Sequence, residues 1–144
     1  MNGLPHTVGG YRRNMAKDKN AVKLVWNKAA PPNFDVVPEE AGIYIISTLQ
    51  TFDNEYEVKY VGQTNDLRAR AKKHWSKNEE NKELKAHLKK RYIIKFSFAE
   101  VSIPEDRDGM ELYLYETYDP PFNTNSPPGE TAIACTLPKA RKHT

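Results

Sequence analysis

Six polar side chains between positions 44 and 123 have types and spacings from which chemistry could be built. Tyr44 and Tyr60 lie sixteen residues apart in two short β-like runs. If those runs form a hairpin whose turn is centred on Phe52, position i pairs with position 104 − i, which sets the two phenols opposite each other on one face. Gly62, two residues past Tyr60, lets a backbone or a ligand come close at the end of the second strand. Arg70 and His74 follow at i, i+4 and share a helix face. A guanidinium carries five fixed donors that suit phosphate oxygens, and an imidazole beside it can move a proton or touch such an oxygen. Glu111 stands early in a later helical stretch, with Asn123 twelve residues beyond it. Taken singly, each has an ordinary structural explanation. Tyrosines pack in cores, basic helix edges are solvated, early glutamates complement a helix dipole, and an asparagine past two prolines belongs to a loop.

The elements that must position these groups can be read from the same stretch. Gly42–Leu49 (GIYIISTL) and Tyr56–Gly62 (YEVKYVG) are rich in β-branched and aromatic residues and flank the polar Phe52-Asp53-Asn54-Glu55, the pattern of an antiparallel hairpin. Thr64-Asn65-Asp66 offers N-cap side chains to a helix with Leu67, Ala71 and Trp75 at i, i+4, i+8, leaving Arg70 and His74 beside that stripe. Ser76-Lys77-Asn78-Glu79 has the form of a capping box and predicts a second helix to about Arg91, with Leu84 and Leu88 inward. Ile93–Val101 alternates as a third strand. Asp106 and Asp108 place negative charge at the start of a third helix that Pro120-Pro121 stops. In it, Met110, Leu114 and Thr117 or Tyr118 are spaced to face a core, with Glu111, Tyr115 and Tyr118 forming the neighbouring face. The order β-β-α-α-β-α predicts an α+β domain over residues 38–124. Residues 1–37 read as an N-terminal arm with at most a short strand at Val22–Trp26, and residues 125–144 as a loop with a basic tail. No internal repeat is visible.

A chain of 144 residues has room for one domain, and 38% hydrophobic residues support a core. The net charge of +3 is too small to name a partner, but its distribution is informative. Residues 65–95 hold 11 lysines and arginines against 4 acidic residues, a local +7 that leaves −4 elsewhere. A focused basic surface is the footprint of a polyanion partner, with a solvated lysine-rich helix pair as the plain alternative. Lys72, Lys73, Lys77, Lys89 and Lys90 are the candidate phosphate contacts. The single cysteine, Cys135, excludes an intramolecular disulfide framework and a cysteine-rich zinc site, so an intracellular, cytoplasmic compartment is expected. No apolar run approaches the roughly 20 residues that span a bilayer, and the first residues lack the apolar stretch of a secretory signal.

In order, Gly42-Ile43-Tyr44, Tyr60-Val61-Gly62, Arg70-x3-His74 and Glu111-x11-Asn123 resemble the GIY-YIG nuclease family. The resemblance runs from Pro38 to Asn123. It implies a small three-stranded antiparallel sheet flanked by helices, and metal-dependent hydrolysis of phosphodiester bonds. Carried over by position, Tyr44 and Tyr60 are the hairpin tyrosines, Arg70 the helix arginine, His74 the histidine one turn on, Glu111 the metal-binding carboxylate and Asn123 the closing asparagine. The chain departs from the pattern in having valine within YVG, and in the fifteen residues, Ile45 to Lys59, between the two tripeptides, where the family more often has fewer. The excess falls at the hairpin tip and keeps the parity of the tyrosines.

The chemistry then expected uses one divalent ion, Mg²⁺ first and Mn²⁺ as a substitute, since one carboxylate does not hold two metals. Arg70 binds phosphate oxygens. A tyrosine made more acidic by Arg70 and metal-bound water, Tyr44 slightly before Tyr60 by analogy with the family, acts as general base, with His74 as relay or phosphate contact. The substrate is nucleic acid, DNA before RNA, with weak sequence specificity or specificity obtained by dimerisation. A catalytically inactive nucleic-acid-binding module of the same fold is the alternative.

Overall fold

The computed structural model describes residues 6–8, 11–13 and 21–143; the rest of the N-terminal arm lies outside the described residues. Strands β1 (His6–Val8), β2 (Tyr11–Arg13) and β3 (Val22–Lys23) form a small antiparallel sheet. The main sheet consists of β4 (Asn27–Ala29), β5 (Gly42–Gln50), β6 (Glu55–Thr64) and β7 (Ile94–Glu100), all antiparallel, in the order β4-β7-β5-β6. Helices α1 (Leu67–His74) and α2 (Lys82–Leu88) lie between β6 and β7, and α3 (Pro104–Tyr118) follows β7. The architecture is α+β, as expected, with four strands rather than three in the main sheet. The additional strand, β4, pairs Asn27–Ala29 with Phe96–Phe98.

The alternation of β5 sends its side chains into two cores. Ile43 and Ile45 meet Val58, Val61, Met110 and Leu114 beneath α3. Tyr44 and Ile46 meet Phe96, Phe98, Leu67, Ala71, Leu84 and Leu88 beneath α1 and α2. The sheet is therefore a middle layer, and Tyr44 points to the side of the two short helices.

The hairpin register differs from the expected one. Tyr44 stands opposite Gly62 and Ile46 opposite Tyr60, then the register shifts so that Ser47 faces Val58. The four-residue loop 51–54 and the extra residue Lys59 together displace the pairing. Near the tyrosines the displacement is two residues, from a sum of 104 to one of 106, so the parity argument survives. Tyr44 and Tyr60 are diagonal neighbours on one face, with ring centroids 6.2 Å apart and planes at 27°.

Helix boundaries also shift. Asp66 caps α1 as expected, accepting from the Ala69 amide at 3.0 Å. The second helix starts later and ends earlier than the capping-box reading predicts: Asn81, not Ser76, is its N-cap, and its last residue is Leu88. The third helix begins two residues before Asp106, with Pro104 in the first-turn position that needs no amide hydrogen. It ends at Asp119, whose φ of 45° is a left-handed cap, just before Pro120-Pro121.

The C-terminal segment packs onto the domain. The Ile133 amide donates to the Gly109 carbonyl at 2.9 Å, and a side chain at Gly109 would strike Ile133. Further on, Arg141 lies along the outer edge of β6, its amide donating to Tyr56 at 2.8 Å and its carbonyl accepting from Val58 at 2.9 Å. Its guanidinium bonds Asp53 and Glu57.

Candidate active site

Two glycines seat the first tyrosine. A Cβ on Gly42 would lie 2.2 Å from the Ala99 carbonyl oxygen and 2.8 Å from a Leu67 methyl, so this glycine lets β5, β7 and α1 close together. A Cβ on Gly62 would lie 2.5 Å from both Cζ and Oη of Tyr44. The close approach that glycine permits at this strand end is that of the Tyr44 ring itself. Phe96 supports the ring from another side, with centroids 5.2 Å apart.

Helix α1 is laid over the pair by its lead-in: the Leu67 amide donates to the Glu40 carbonyl at 2.9 Å and the Arg68 amide to that of Pro38 at 3.1 Å. Its buried positions are Leu67, Ala71 and His74, so His74 takes an inward place and Trp75 only a half-buried one. His74, 1% exposed, has both ring nitrogens engaged. Nε2 is 2.7 Å from the Tyr44 hydroxyl and Nδ1 is 2.5 Å from Oε1 of Glu79. Arg70 donates from Nε to the Tyr44 hydroxyl at 3.3 Å. Tyr60, half-buried, packs its ring against His74 at 5.2 Å and, with Arg70 and Glu79, borders an open cleft of about 530 Å³. Tyr44, Tyr60, Arg70 and His74 thus converge from β5, β6 and α1.

Burial sets the electrostatics. It pushes both tyrosine hydroxyls above the ordinary phenol range, and Arg70 opposes this without reversing it. Arg70 does pull both phenols toward acidity, but desolvation outweighs the guanidinium and the net shift is upward. Arg70, partly desolvated itself, is held firmly protonated by the two phenols. Burial, reinforced by Arg70, holds His74 below the ordinary imidazole range against the pull of Glu79.

Glu111 stands on α3, 8% exposed, close enough to act electrostatically on both tyrosines. Gln63, the residue after Gly62, donates from Nε2 to Glu111 at 3.0 Å and to Asp108 at 2.5 Å. Burial raises the Glu111 carboxyl, the Gln63 bond pulls it back, and Asp108 adds to the rise. Two neighbouring carboxylates with an amide across them form an oxygen-rich, electronegative corner that a hard divalent cation would relieve, with water completing its shell. Among the described residues, no three of His, Cys, Asp and Glu gather into a ready metal cage. The donor set fits an ion held by one or two carboxylates.

Asn123 stands apart from the tyrosines. Its Oδ1 accepts from the Val61 amide at 3.0 Å and its Nδ2 donates to the Val61 carbonyl at 2.9 Å, so its whole amide is spent on the edge of β6. Lys72, Lys73, Lys77, Lys89 and Lys90 are all exposed, the first three at the end of α1 and just past it, the last two after α2. Among the described residues, no helix is long and apolar enough to cross a membrane.

Gln63, Glu79 and Asp108 belong to the site, and sequence reasoning did not place them there. Gln63 and Asp108 are brought together only by the packing of α3 on β6. Glu79 carried a signal, but a misleading one: its capping-box spacing pointed to the backbone of α2, whereas its carboxylate reaches back to His74 and to the Asn81 amide at 2.8 Å.

A family model described as the GIY-YIG catalytic domain matches residues 40–125, more than half the chain. No curated protein and no solved structure matches it.

Proposed function

Since the chain belongs to the GIY-YIG family, a nuclease-type family, we propose that it is an active metal-dependent endonuclease that hydrolyses phosphodiester bonds, of DNA before RNA. The observation that carries the reading is the buried Tyr44 hydroxyl held between His74 and Arg70, with Arg70 bordering an open cleft. Every polar position that the family pattern requires is filled.

In the proposed reaction Arg70 turns from Tyr44 to a phosphate oxygen, where its planar fork neutralises charge developing in the transition state. That movement frees the Tyr44 hydroxyl for the attacking water. Tyr44 takes the water's proton as its own passes to Nε2 of His74, so the phenol never has to ionise in its buried setting. Tyr60 lines the mouth and packs against both partners. Glu111, with Asp108 and Gln63 beside it, would hold the divalent ion, Mg²⁺ or Mn²⁺, which supplies Lewis-acid polarisation of the scissile phosphate and assistance to the leaving oxygen. Asn123 acts by fixing the strand edge that carries Tyr60 and Gly62. The five exposed lysines carry the flanking phosphates.

The test is a cleavage panel over single-stranded, duplex and flap DNA and matching RNA, with Mg²⁺, Mn²⁺ or chelator. Wild-type protein should cut in the presence of metal, and Glu111→Ala should not while still binding nucleic acid. Folded wild-type protein that binds in a salt-dependent manner but cuts none of these would leave the inactive binding module as the function.

A further inference from the structure

The short contact between His74 and Glu79 goes beyond what the family pattern supplies. Glu79 is 8% exposed and lies in the turn between α1 and α2, where its Oε2 is fixed by the Asn81 amide at 2.8 Å. Its Oε1 stands 2.5 Å from Nδ1 of His74, and Nε2 of the same ring stands 2.7 Å from the Tyr44 hydroxyl. A carboxylate only accepts, so Nδ1 must carry the hydrogen, and Nε2 then presents its lone pair to Tyr44.

We propose that Glu79 is a positioning residue that locks His74 in the Nδ1–H form and stabilises the imidazolium made when the Tyr44 proton arrives. The inference deepens the nuclease reading and rests on it. One proton moves from water to the Tyr44 oxygen and one from Tyr44 to Nε2 of His74; Glu79 keeps its charge and receives none. The buried setting makes the partner necessary. Arg70 and Lys73 on α1 both oppose a positive charge on His74, Tyr44 and Tyr60 face it from β5 and β6 without offering one, and Glu79 is the anion in contact with the ring. The logic is that of a carboxylate orienting a catalytic histidine, here with a phenol in place of a serine.

Glu79→Gln tests this, because the amide keeps the size and can still bond the Asn81 amide. Single-turnover cleavage should fall by roughly a hundredfold, within the range of general acid–base contributions, with melting temperature and nucleic-acid affinity little changed. The loss should persist across the whole pH–rate profile, since added base does not restore a missing counter-charge. Nitrogen NMR of His74 should report protonated Nδ1 and hydrogen-bond-accepting Nε2 in wild-type protein, with a low-field proton that Glu79→Gln removes. An Nε2–H form in wild-type protein, or a Glu79→Gln variant that cuts at the wild-type rate, would overturn the proposal. Wild-type protein that cuts nothing would instead overturn the nuclease reading, and the NMR arm would still decide how Glu79 holds His74.

Discussion

Gly62→Ala puts a single methyl group against the Tyr44 ring. The new Cβ would sit 2.5 Å from Cζ and Oη of Tyr44, where ordinary contacts begin at 3.4 Å, so the ring end must retreat by 3.4 − 2.5, about 0.9 Å. A free side chain could yield cheaply, but this ring is packed between Phe96 at 5.2 Å and Tyr60 at 6.2 Å and bonded to His74 at 2.7 Å. Overpacking of this kind costs about 1–3 kcal/mol, which is a fall in melting temperature of roughly 3–12 °C for a chain of this size. A displacement of about 1 Å at a reacting group can cost roughly a hundredfold in rate. Cleavage should therefore drop far more than the folded fraction does at the assay temperature. Single-turnover rates and thermal denaturation measured on the same preparation separate the two effects. A Gly62→Ala protein that melts lower but cuts at the wild-type rate would show that the position of Tyr44 over Gly62 has no part in catalysis.

Tyr44→Phe should keep the fold and lower the cleavage rate by about two orders of magnitude or more, and Arg70→Lys should lose most activity because an ammonium lacks the planar fork; losses that merely track melting temperature would make the cluster structural. Glu111→Gln should abolish cleavage and also remove an acid-side stabilisation. The Glu111 carboxyl is raised in the folded state, so wild-type stability declines as pH rises through the carboxylate range and the variant's advantage should grow there, as denaturant titrations at several pH values would register. Neutralising Lys72, Lys73, Lys77, Lys89 and Lys90 should reduce the log–log salt slope of nucleic-acid binding by roughly one unit per lysine in contact with phosphate; an unchanged slope would move the track elsewhere. His87, bonded to Thr48 at 2.7 Å and pushed down to about 4 by burial and by Lys59 and Lys90, must charge on acid unfolding, as must His74. Stability should fall as pH drops below about 6.5, and His87→Gln should make that fall shallower in equilibrium denaturation.

Local signals carried much of the fold into view. The β-branched and aromatic runs named the hairpin, Asp66 capped its helix, and the even spacing of Tyr44 and Tyr60 placed both on one face even though their register was off by two. Parity survived because the total displacement is even: the tip loop and the bulge at Lys59 each move the pairing by one residue, and a strand repeats every two. What stayed hidden was non-local. The residues Asn27-Lys28-Ala29 have no strand pattern, and only the open edge of β7 makes them β4. Gln63 and Asp108 meet across two elements, and Glu79 obeyed a local capping rule in sequence while tertiary contact with His74 claimed its carboxylate. The same competition explains why α2 starts at Lys82 with Asn81 as its cap.

The outer margin of β6 is occupied along most of its length by the chain itself. Arg141 takes the backbone groups of Tyr56 and Val58, the Phe122 amide takes the Lys59 carbonyl at 3.1 Å, and Asn123 takes both groups of Val61. A bare strand margin is a template on which another chain can polymerise. Here the tail and the loop after α3 act as a built-in guard against sheet extension, so two copies that associate must do so through side-chain surfaces rather than by fusing their sheets at β6. Proteolytic loss of the last few residues would lift the guard from Tyr56–Val58 alone, opening that stretch to edge-to-edge aggregation while leaving Asn123 and the cleft in place.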